Sequence, residues 1–266
     1  MRPGRVPTLG LAPGRAWLIL GNMCGRFVLP DEQIVGEHYR TVQCFFRGWF
    51  KPMFNVAPTA QVPVIVRAAT GAWELRRARW GLIPAWWPKP EPPALTFNAR
   101  SEDAARKPVW RDSLRSARCL MPVRGWYEWM AKEPAGGAPR RRGRQPFFLH
   151  CPDSPVIAFA GLQSVWTGPN SVSVTSCALL TKPATGNLKT IHPRMPVVLM
   201  PDREAGWLDP AATGQDLVAM VADSRVDVES YPVGTRVNNI HNDGPDLMQR
   251  IPVATTGLLD LDAPVG

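Results

Sequence analysis

Proline is the residue that most restricts how this chain can fold. It occurs 29 times among 266 residues, about once in nine, and 22 glycines accompany it. Because proline lacks a backbone N–H and has a fixed φ angle, it is poorly tolerated inside helices and central strands. We therefore expect short secondary-structure elements joined by many fixed turns.

Strand signals appear as alternating or apolar runs between turn-forming residues. Residues 61–67 and 73–80 are predicted to pair as strands, with residues 68–72 as the turn between them. Further extended segments are predicted at residues 95–100, 119–129, 147–149, 156–162, 172–180 and 197–200.

Helix signals are fewer. Ser101 followed by Glu102 and Asp103 is typical of a helix start, with a capping hydroxyl and an acidic first turn. The other helical segments are predicted at residues 110–117, 201–208 and 215–222. Together the elements indicate a single α+β domain dominated by short strands. Residues 131–145, rich in Pro, Gly and Arg, are predicted to form a solvated loop.

The charge balance and the cysteines limit the class of protein. The net charge is +9, and because three of the 31 basic residues precede Met23, the segment from Met23 onward carries 28 against 22 acidic residues, or +6. A basic surface favours polyanions such as phosphate backbones, although an Arg-rich codon bias gives the same balance. Five cysteines without a C-x-x-C pair suggest neither a disulfide framework nor a zinc site. This composition favours a reducing, cytoplasmic compartment, and no run approaches the length of a membrane span.

The first 22 residues are unlike the rest of the chain. They contain Arg, Pro and Gly and then a short apolar run, and they lack the longer apolar region of a signal peptide. The favoured interpretation is a mis-assigned upstream start, with translation beginning at Met23. A segment that the protein itself removes is the alternative. The remaining boundaries are predicted as a domain over residues 23–252 and a flexible tail over residues 253–266.

Cys24 is a candidate nucleophile because it follows Met23. Removal of that methionine leaves a cysteine with a free α-amine, whose pKa is ~7.7–8.0, beside a thiol with a pKa of ~8.5. With an aldehyde, the amine forms an imine and the thiol closes on it to give a five-membered thiazolidine ring. The plainer interpretation of a single cysteine is a small buried hydrophobe.

Three polar residues could serve such chemistry. Asn98 and Arg100 fall on one face of an extended segment, where the amide orients a nucleophile and the guanidinium holds a phosphate. A turn followed by a capped helix explains the same residues. Glu128 lies among three aromatic residues, which raises the pKa of a carboxyl toward neutrality and suits proton transfer. An edge-strand glutamate that reaches water is the alternative.

Two further features are a loop histidine and a tryptophan pair. His192 stands in a proline-containing loop ahead of a strand, a setting that suits general acid–base work, although surface loops also carry histidines. The adjacent Trp86 and Trp87 could stack unpaired bases. Core packing is the alternative, and we expect Trp80 in the core and one of the pair exposed.

These features occur in an order that resembles the SOS response-associated peptidase family. The resemblance covers residues 23–252. The motifs that carry it are MCGR (23–26), FNVAPT (54–59), WGLIP (80–84), NARSE (98–102), RCLMP (118–122), GWYEW (125–129), IHPRMP (191–196), VNN (237–239) and NDG (242–244).

The resemblance implies a barrel-like core of antiparallel or mixed strands with a few flanking helices. It also implies a protein of the DNA damage response that senses abasic sites in single-stranded DNA and crosslinks to them through the N-terminal cysteine as a thiazolidine. The catalytic residues would be Cys24, Asn98, Glu128 and His192. The DNA-binding residues would be Arg26, Arg100, Trp86, Trp87 and Pro58.

The resemblance calls for no cofactor and no metal ion. The implied partner is single-stranded DNA with abasic sites, with a replication fork or junction as a further partner, bound by a monomer in the cytoplasm or at the nucleoid. The family name also implies a peptidase activity that exposes Cys24. A general cysteine peptidase and a non-covalent single-strand binding module are the alternative functions.

Overall fold

The strands are numerous, and twelve of the fourteen in the described part of the chain have eight residues or fewer, whereas two, Ile157–Thr167 and Ser173–Pro183, have eleven. Pro63 and Pro122 are tolerated inside central strands, so the expectation of short elements is confirmed only in part. The computed structural model describes residues 24–39, 42–43, 48, 50–131, 144–222, 224 and 227–252. The strands are β1 Phe27–Leu29, β2 Val42–Gln43, β3 Met53–Val56, β4 Gln61–Arg67, β5 Trp73–Trp80, β6 Asn98–Arg100, β7 Arg118–Val123, β8 Gly125–Ala131, β9 Arg144–His150, β10 Ile157–Thr167, β11 Ser173–Pro183, β12 Arg194–Pro196, β13 Val198–Leu199 and β14 Glu229–Pro232.

The helices lie between and after these strands. They are α1 Glu32–His38, α2 Ser101–Ala104, α3 Pro108–Ser116, α4 Pro201–Leu208 and α5 Gly214–Ala222, with 3-10 turns at Pro169–Ser171, Gly186–Thr190, Thr235–Asn238 and Pro245–Met248. Within the described ranges, no helix is long and apolar enough to cross a membrane.

Five strands close into a barrel in the order β11-β10-β7-β4-β5. Neighbouring strands are antiparallel, and the ring is closed by a parallel pairing of β5 with β11, in which Trp80 lies opposite Cys177. Closure leaves no unpaired edge inside the ring. The prediction of an α+β domain with a barrel-like core of mixed strands is confirmed.

The second sheet has the order β14-β9-β8-β1-β3 and carries residues on both faces. Because side chains alternate along a strand, Phe27 and Trp126 join the main core, while Val28 and Tyr127 belong to a smaller apolar cluster. Glu128 follows Trp126 by two positions and is buried. The alternation therefore turns a carboxyl toward the interior between the two sheets.

Most sequence predictions of elements are confirmed, and some boundaries are corrected. The strands at 61–67 and 73–80 pair, with Ala68 N–H donating to Ala72 O at 2.8 Å across the turn. The extended segment predicted at 119–129 is two strands, separated at Arg124. Most of the loop predicted at 131–145 lies outside the described residues, but its first residue, Ala131, belongs to β8 and its last two, 144–145, belong to β9.

The predicted capping role of Ser101 is wrong. The chain passes from β6 directly into α2, so Arg100 occupies the N-cap position with an extended backbone and no side-chain cap hydrogen bond. Ser101 is already the first helical residue, and its hydroxyl donates to Glu102 at 3.3 Å. The helix begins where the sequence predicted, but Ser101 is its first residue and not its N-cap residue, so the Ser101 hydroxyl cannot cap the helix.

Asn55 on β3 fastens the C-terminal segment to the second sheet. Its amide nitrogen donates to the carbonyls of Val237, Asn239 and Asn242 at 3.3, 3.0 and 2.9 Å. Its oxygen accepts from Arg26 Nη1 at 2.8 Å. With only 6% of Asn55 exposed, these bonds fix the segment beside the chain that leads from Cys24 into β1.

Replacing Asn55 by alanine should therefore lower the free energy of unfolding by about 2–4 kcal/mol, since the partly buried carbonyls of Asn239 and Asn242 lose this donor and Arg26 loses its side-chain acceptor. Residues 237–242 should also become more sensitive to proteolysis. Urea unfolding and limited proteolysis measure the two effects. Asn187→Ala, at an exposed position, is the control, and equal losses in both variants would show that the Asn55 contacts contribute little.

Candidate active site at Cys24

Cys24 lies just ahead of β1 and is only 2% exposed. Asn98, the first residue of β6, donates from Nδ2 to the Cys24 carbonyl at 3.0 Å. β6 is held in place by its parallel pairing with β11, where Asn98 lies opposite Leu179. The carbonyl oxygen of the Asn98 side chain is buried without a partner among the described residues. An acceptor is therefore present beside the backbone of Cys24.

Glu128 is buried beside the Cys24 thiol. Burial raises the pKa of this carboxyl to about 8, against the opposing effects of a hydrogen bond with Cys24 and the charge of Arg144. Burial and then the nearby Glu128 carboxyl raise the pKa of the Cys24 thiol well above its usual value. Near pH 7 both groups are therefore mainly protonated, and Glu128 Oε1 is buried without a partner among the described residues.

His192 completes the group and is 7% exposed. Its Nδ1 atom lies 3.1 Å from Arg194 N and 3.0 Å from Arg194 O. Burial is the main cause that lowers the pKa of His192, with the charges of Arg144 and Arg194 acting in the same direction. The 3.9 Å separation between His192 Nδ1 and Glu128 Oε2 is therefore a contact of two neutral groups, because both pKa shifts oppose an ion pair.

Arg194 and Glu102 support this group. Both stand in the motifs quoted above, but the sequence analysis assigned no role to Arg194 and placed Glu102 only in the acidic first turn of a helix. The guanidinium of Arg194 makes a two-pronged ion pair with Glu102, and Nη2 donates to Thr181 O at 2.7 Å and to its hydroxyl at 3.0 Å. The Glu102 pKa is lowered, chiefly by its hydrogen bond with Arg194. The backbone that touches His192 Nδ1 is thereby anchored on β11.

The DNA-binding candidates differ in exposure. Arg100 is exposed two residues beyond Asn98. Arg26 donates to Asn55 and to the Val237 carbonyl at 2.9 Å, and burial lowers its pKa to about 10. Pro58 is buried, and the exposed residue of that turn is Thr59, whose φ of 79° is in the left-handed region. Of Arg26, Pro58 and Arg100, only Arg100 is exposed.

The tryptophan pair behaves as the sequence predicted. Trp86 is 53% exposed, whereas Trp80 is fully buried. The half-buried Trp87 lies edge-on to Trp86, with ring centres 5.7 Å apart, and its carbonyl accepts from Trp166 Nε1 at 2.6 Å. Trp87 therefore fixes the loop, and Trp86 offers a ring face to solvent.

Within the described ranges, no group of three or more His, Cys, Asp or Glu side chains is arranged to hold a metal ion. The cysteines of these ranges are free and buried; they are Cys24, Cys119, Cys151 and Cys177. Cys44 lies outside the described residues. The described residues at Cys24 thus offer a thiol, a carboxyl, an imidazole and an amide.

The order of these residues along the chain matches a known family. The model of the SOS response associated peptidase (SRAP) family matches residues 23–240. The chain belongs to the SRAP family. The match begins one residue before Cys24 and includes Asn98, Glu128 and His192, so the whole group described above lies within the SRAP region.

Relatives of the SRAP chain carry a common description. The abasic site processing protein YoqW of Bacillus subtilis is 32% identical over 230 residues, which cover 85% of this chain and 99% of that protein. The abasic site processing protein HMCES of Xenopus tropicalis is 27% identical over 276 residues, covering 86% of this chain and 78% of that protein. The abasic site processing protein YedK of Escherichia coli is 27% identical over 201 residues, covering 74% and 84%.

The SRAP fold also appears in solved structures. A Bacteroides thetaiotaomicron protein superposes with a TM-score of 0.73 at 20% identity, covering 86% of this chain and 100% of that one. A phage-related protein of Bordetella bronchiseptica gives a TM-score of 0.61 at 26% identity, covering 79% and 94%. At its low identity, the first of these shows likeness of fold alone.

Glu128→Gln should raise the free energy of unfolding above about pH 4.5. A carboxyl whose pKa rises from 4.5 in the unfolded chain to about 8 in the fold keeps a proton that the unfolded chain releases. The Glu128 carboxyl therefore lowers the free energy of unfolding progressively as pH rises from 4.5 to 8, and above pH 8 this loss stays constant. The variant should gain roughly 1–4 kcal/mol at pH 8 and little at pH 4.

Thermal and urea unfolding across this pH range measure the effect. Glu37→Gln on α1, at an exposed position, is the matched control and should follow the unmodified protein. A stability difference for Glu128→Gln that stays flat with pH would contradict the assigned burial cost.

Proposed function

We propose that this protein forms a covalent thiazolidine crosslink with abasic sites in single-stranded DNA through an N-terminal Cys24, and so shields the lesion during the DNA damage response. The observation that carries the proposal is the buried group formed by Cys24, Asn98, Glu128 and His192. Asn98 Nδ2 donates to the Cys24 carbonyl at 3.0 Å, His192 Nδ1 lies 3.9 Å from Glu128 Oε2, and the Glu128 carboxyl is near enough to raise the pKa of the Cys24 thiol. The relatives named abasic site processing proteins support the same class of substrate.

The proposed reaction balances without a cofactor. The α-amine of Cys24 attacks the aldehyde carbon of the ring-opened abasic sugar to give a carbinolamine. Loss of one water molecule gives the imine. The thiol sulfur then adds to the carbon of the protonated imine, and the thiol proton restores the carboxyl that protonated the leaving water. The product ring contains one new C–N and one new C–S bond, with no oxidation or reduction.

Glu128 suits both proton transfers. With a pKa near 8, it is protonated at neutral pH and can donate to the hydroxyl that leaves the carbinolamine. The resulting carboxylate, in contact with the thiol, can then accept the thiol proton as sulfur attacks. A group whose pKa lies near the working pH performs such exchanges efficiently.

His192 and Asn98 would act on the sugar and on the nucleophile. A neutral imidazole, favoured by the lowered pKa of His192, can accept a proton from the sugar during ring opening and return it. Asn98 holds the Cys24 carbonyl at 3.0 Å. Its unpartnered side-chain oxygen is suited to accept from the α-amine and aim its lone pair at the aldehyde.

DNA contacts would come from the residues around this group. Exposed Arg100 and the partly buried Arg26 would hold phosphates, and Trp86 would stack a base where the strand is kinked, supported by Trp87 and by the turn at Pro58. The net charge of +6 from Met23 onward favours the same partner. A fork or junction is a further partner, and the protein would act as a monomer in the cytoplasm or at the nucleoid.

The mechanism requires a free α-amine at Cys24. While any residue precedes it, the nitrogen is an amide and cannot form an imine. Translation from Met23 with loss of the methionine, or removal of the preceding segment by the protein itself, would supply the amine. The domain boundaries at residues 22/23 and 252/253 remain predictions that intact mass and N-terminal sequencing would test.

The test compares proteins that differ in the state of this amine. Protein confirmed to begin at Cys24, and protein with an uncleaved extension ahead of it, are each incubated with single-stranded DNA bearing one abasic site. A heat-stable protein–DNA band from the first alone is the expected result. A band of equal yield from the extended protein would show that the α-amine of Cys24 is not needed for the crosslink. Absence of a band from the protein that begins at Cys24 would defeat the proposal.

A general cysteine peptidase is less well supported. Such enzymes need a thiolate activated by an imidazole, whereas here Glu128 bonds to the thiol and burial raises the Cys24 pKa. Autoproteolysis ahead of Cys24 remains a narrower proposal. Turnover of unrelated peptides that is lost in His192→Ala would favour the peptidase. Equal affinity for intact and abasic strands, without a covalent product, would favour a simple binding module.

A further inference from the structure

A pocket of about 180 Å³ lies behind Trp86, away from the residues assigned to the crosslink. Its walls come from the loop that carries Trp86, from α3 and from β10. Such a volume is below the roughly 300–1,000 Å³ of pockets for drug-sized ligands, so the pocket suits a single ring system. The residues that give it polar character are Asp112, Ser113, Ser116, Gln163 and Ser164.

Gln163 supplies the pocket wall with a hydrogen-bond acceptor that has no donor among the described residues. Its backbone is fixed, because the N–H donates to Ala117 O at 2.8 Å and the residue pairs with Cys177 across β10 and β11. Its side-chain oxygen is buried and has no hydrogen-bond partner among the described residues. A buried acceptor without a donor is costly, so the wall favours a ligand that presents an N–H group.

Exposed aromatic and basic side chains in and beside the pocket favour nucleic acid: Trp86 lines the pocket, and Arg111 and Arg115 lie next to its lining residue Asp112 on α3. Trp86 is 53% exposed and borders the pocket. Arg111 and Arg115 on α3 are 56% and 80% exposed, and they share one carboxylate, Asp112, at 3.7 Å each. These separations exceed the ~2.7–2.9 Å of direct charge-assisted hydrogen bonds. Two guanidiniums over one carboxylate leave positive charge that phosphates can approach.

We propose that this pocket receives one nucleobase of the bound single strand, stacked on Trp86 with an N–H group directed at Gln163, while Arg111 and Arg115 contact the adjoining phosphates. The inference rests on the proposed binding of single-stranded DNA but does not require the crosslink. Every nucleobase has an aromatic face and an N–H donor. The pocket would therefore hold the strand at a fixed point with little dependence on sequence.

The test uses strands that cannot react with Cys24. Ten-nucleotide strands of tetrahydrofuran abasic analogues lack the aldehyde, and they carry at their centre no base, one adenine, or one unsubstituted purine, which lacks the amino group. Fluorescence anisotropy measures each Kd. Adenine should improve binding roughly five- to a hundredfold over the strand without a base, by stacking. It should bind about two- to tenfold more tightly than purine, through the amino group.

Two variants test whether the base binds in this pocket. Gln163→Met should lower the affinity for the adenine strand to that for the purine strand. The matched control is Gln33→Met at an exposed position on α1, which should leave both affinities unchanged. Because Gln163 lies on a barrel strand, the exposed Ser116→Phe offers a second route that fills the pocket from its rim. It should remove the benefit of adenine without loss of thermal stability.

Either of two outcomes would overturn the inference. One is equal affinity for strands with and without the single adenine. The other is an adenine preference that survives both Gln163→Met and Ser116→Phe, which would place the base elsewhere and leave the pocket for a different ligand, such as a peptide. Because the crosslink cannot form on these strands, neither outcome bears on the chemistry of Cys24.

Discussion

Replacing Cys24 by alanine should abolish the heat-stable product with abasic single-stranded DNA. The alanine variant keeps an α-amine and can still form an imine, but without sulfur the imine cannot close to the thiazolidine and is lost by hydrolysis. Cys24→Ser should behave in the same way. Borohydride reduction should trap the imine of both variants, whereas the unmodified protein needs no reductant to hold the strand through denaturing electrophoresis.

The matched control is Cys151→Ala, because Cys151 is also a free, buried thiol but lies on a different part of the chain. It should crosslink at the ordinary rate. A stable band from Cys24→Ala, or loss of the band from Cys151→Ala without unfolding, would assign the chemistry to another residue.

Glu128→Gln should slow crosslinking by about 10²–10⁴-fold, the usual contribution of a positioned acid–base group. The amide cannot donate a proton to the leaving hydroxyl or accept one from the thiol. Because the α-amine must be neutral, the rate should rise with pH up to its pKa of ~7.7–8.0. Because Glu128 must be protonated, the rate should fall above its pKa of about 8.

The two requirements give the unmodified protein a bell-shaped pH dependence, and Glu128→Gln should lose the descending side. Single-turnover rates between pH 5 and 10 measure this, with Glu37→Gln as the control for a distant carboxyl. If the descending side persists in Glu128→Gln, another group supplies the proton. If the rate of the variant is unchanged, Glu128 is a structural residue.

Local patterns in the sequence predicted the elements well where neighbours in the chain are also neighbours in space. The β4–β5 hairpin and α4, which begins at Pro201 and ends at Leu208 as expected, depend on turn residues, alternation and a proline at the first helical turn. The closure of the barrel could not be predicted from such patterns. It depends on Trp80 pairing with Cys177, which lie almost a hundred residues apart.

The sequence singled out the residues of the candidate site but not the residues that support them. Cys24, Asn98, Glu128 and His192 stood out by residue type and setting, and the structure brings them together. The roles of Asn55 and Arg194 did not stand out, because an asparagine or arginine in a motif gives no sign of the carbonyls it will bind. The exposure of Arg100 and the burial of Pro58 likewise depend on packing between distant segments.

The separation of the site residues along the chain also sets an order of events during synthesis. His192 follows Cys24 by 168 positions, which takes roughly 10–30 s at about 5–20 residues per second. Until Asn98, Glu128 and the loop of His192 have emerged from the ribosome, nothing can enclose Cys24. If translation begins at Met23, an aminopeptidase would therefore have time to remove that methionine before the fold closes over Cys24.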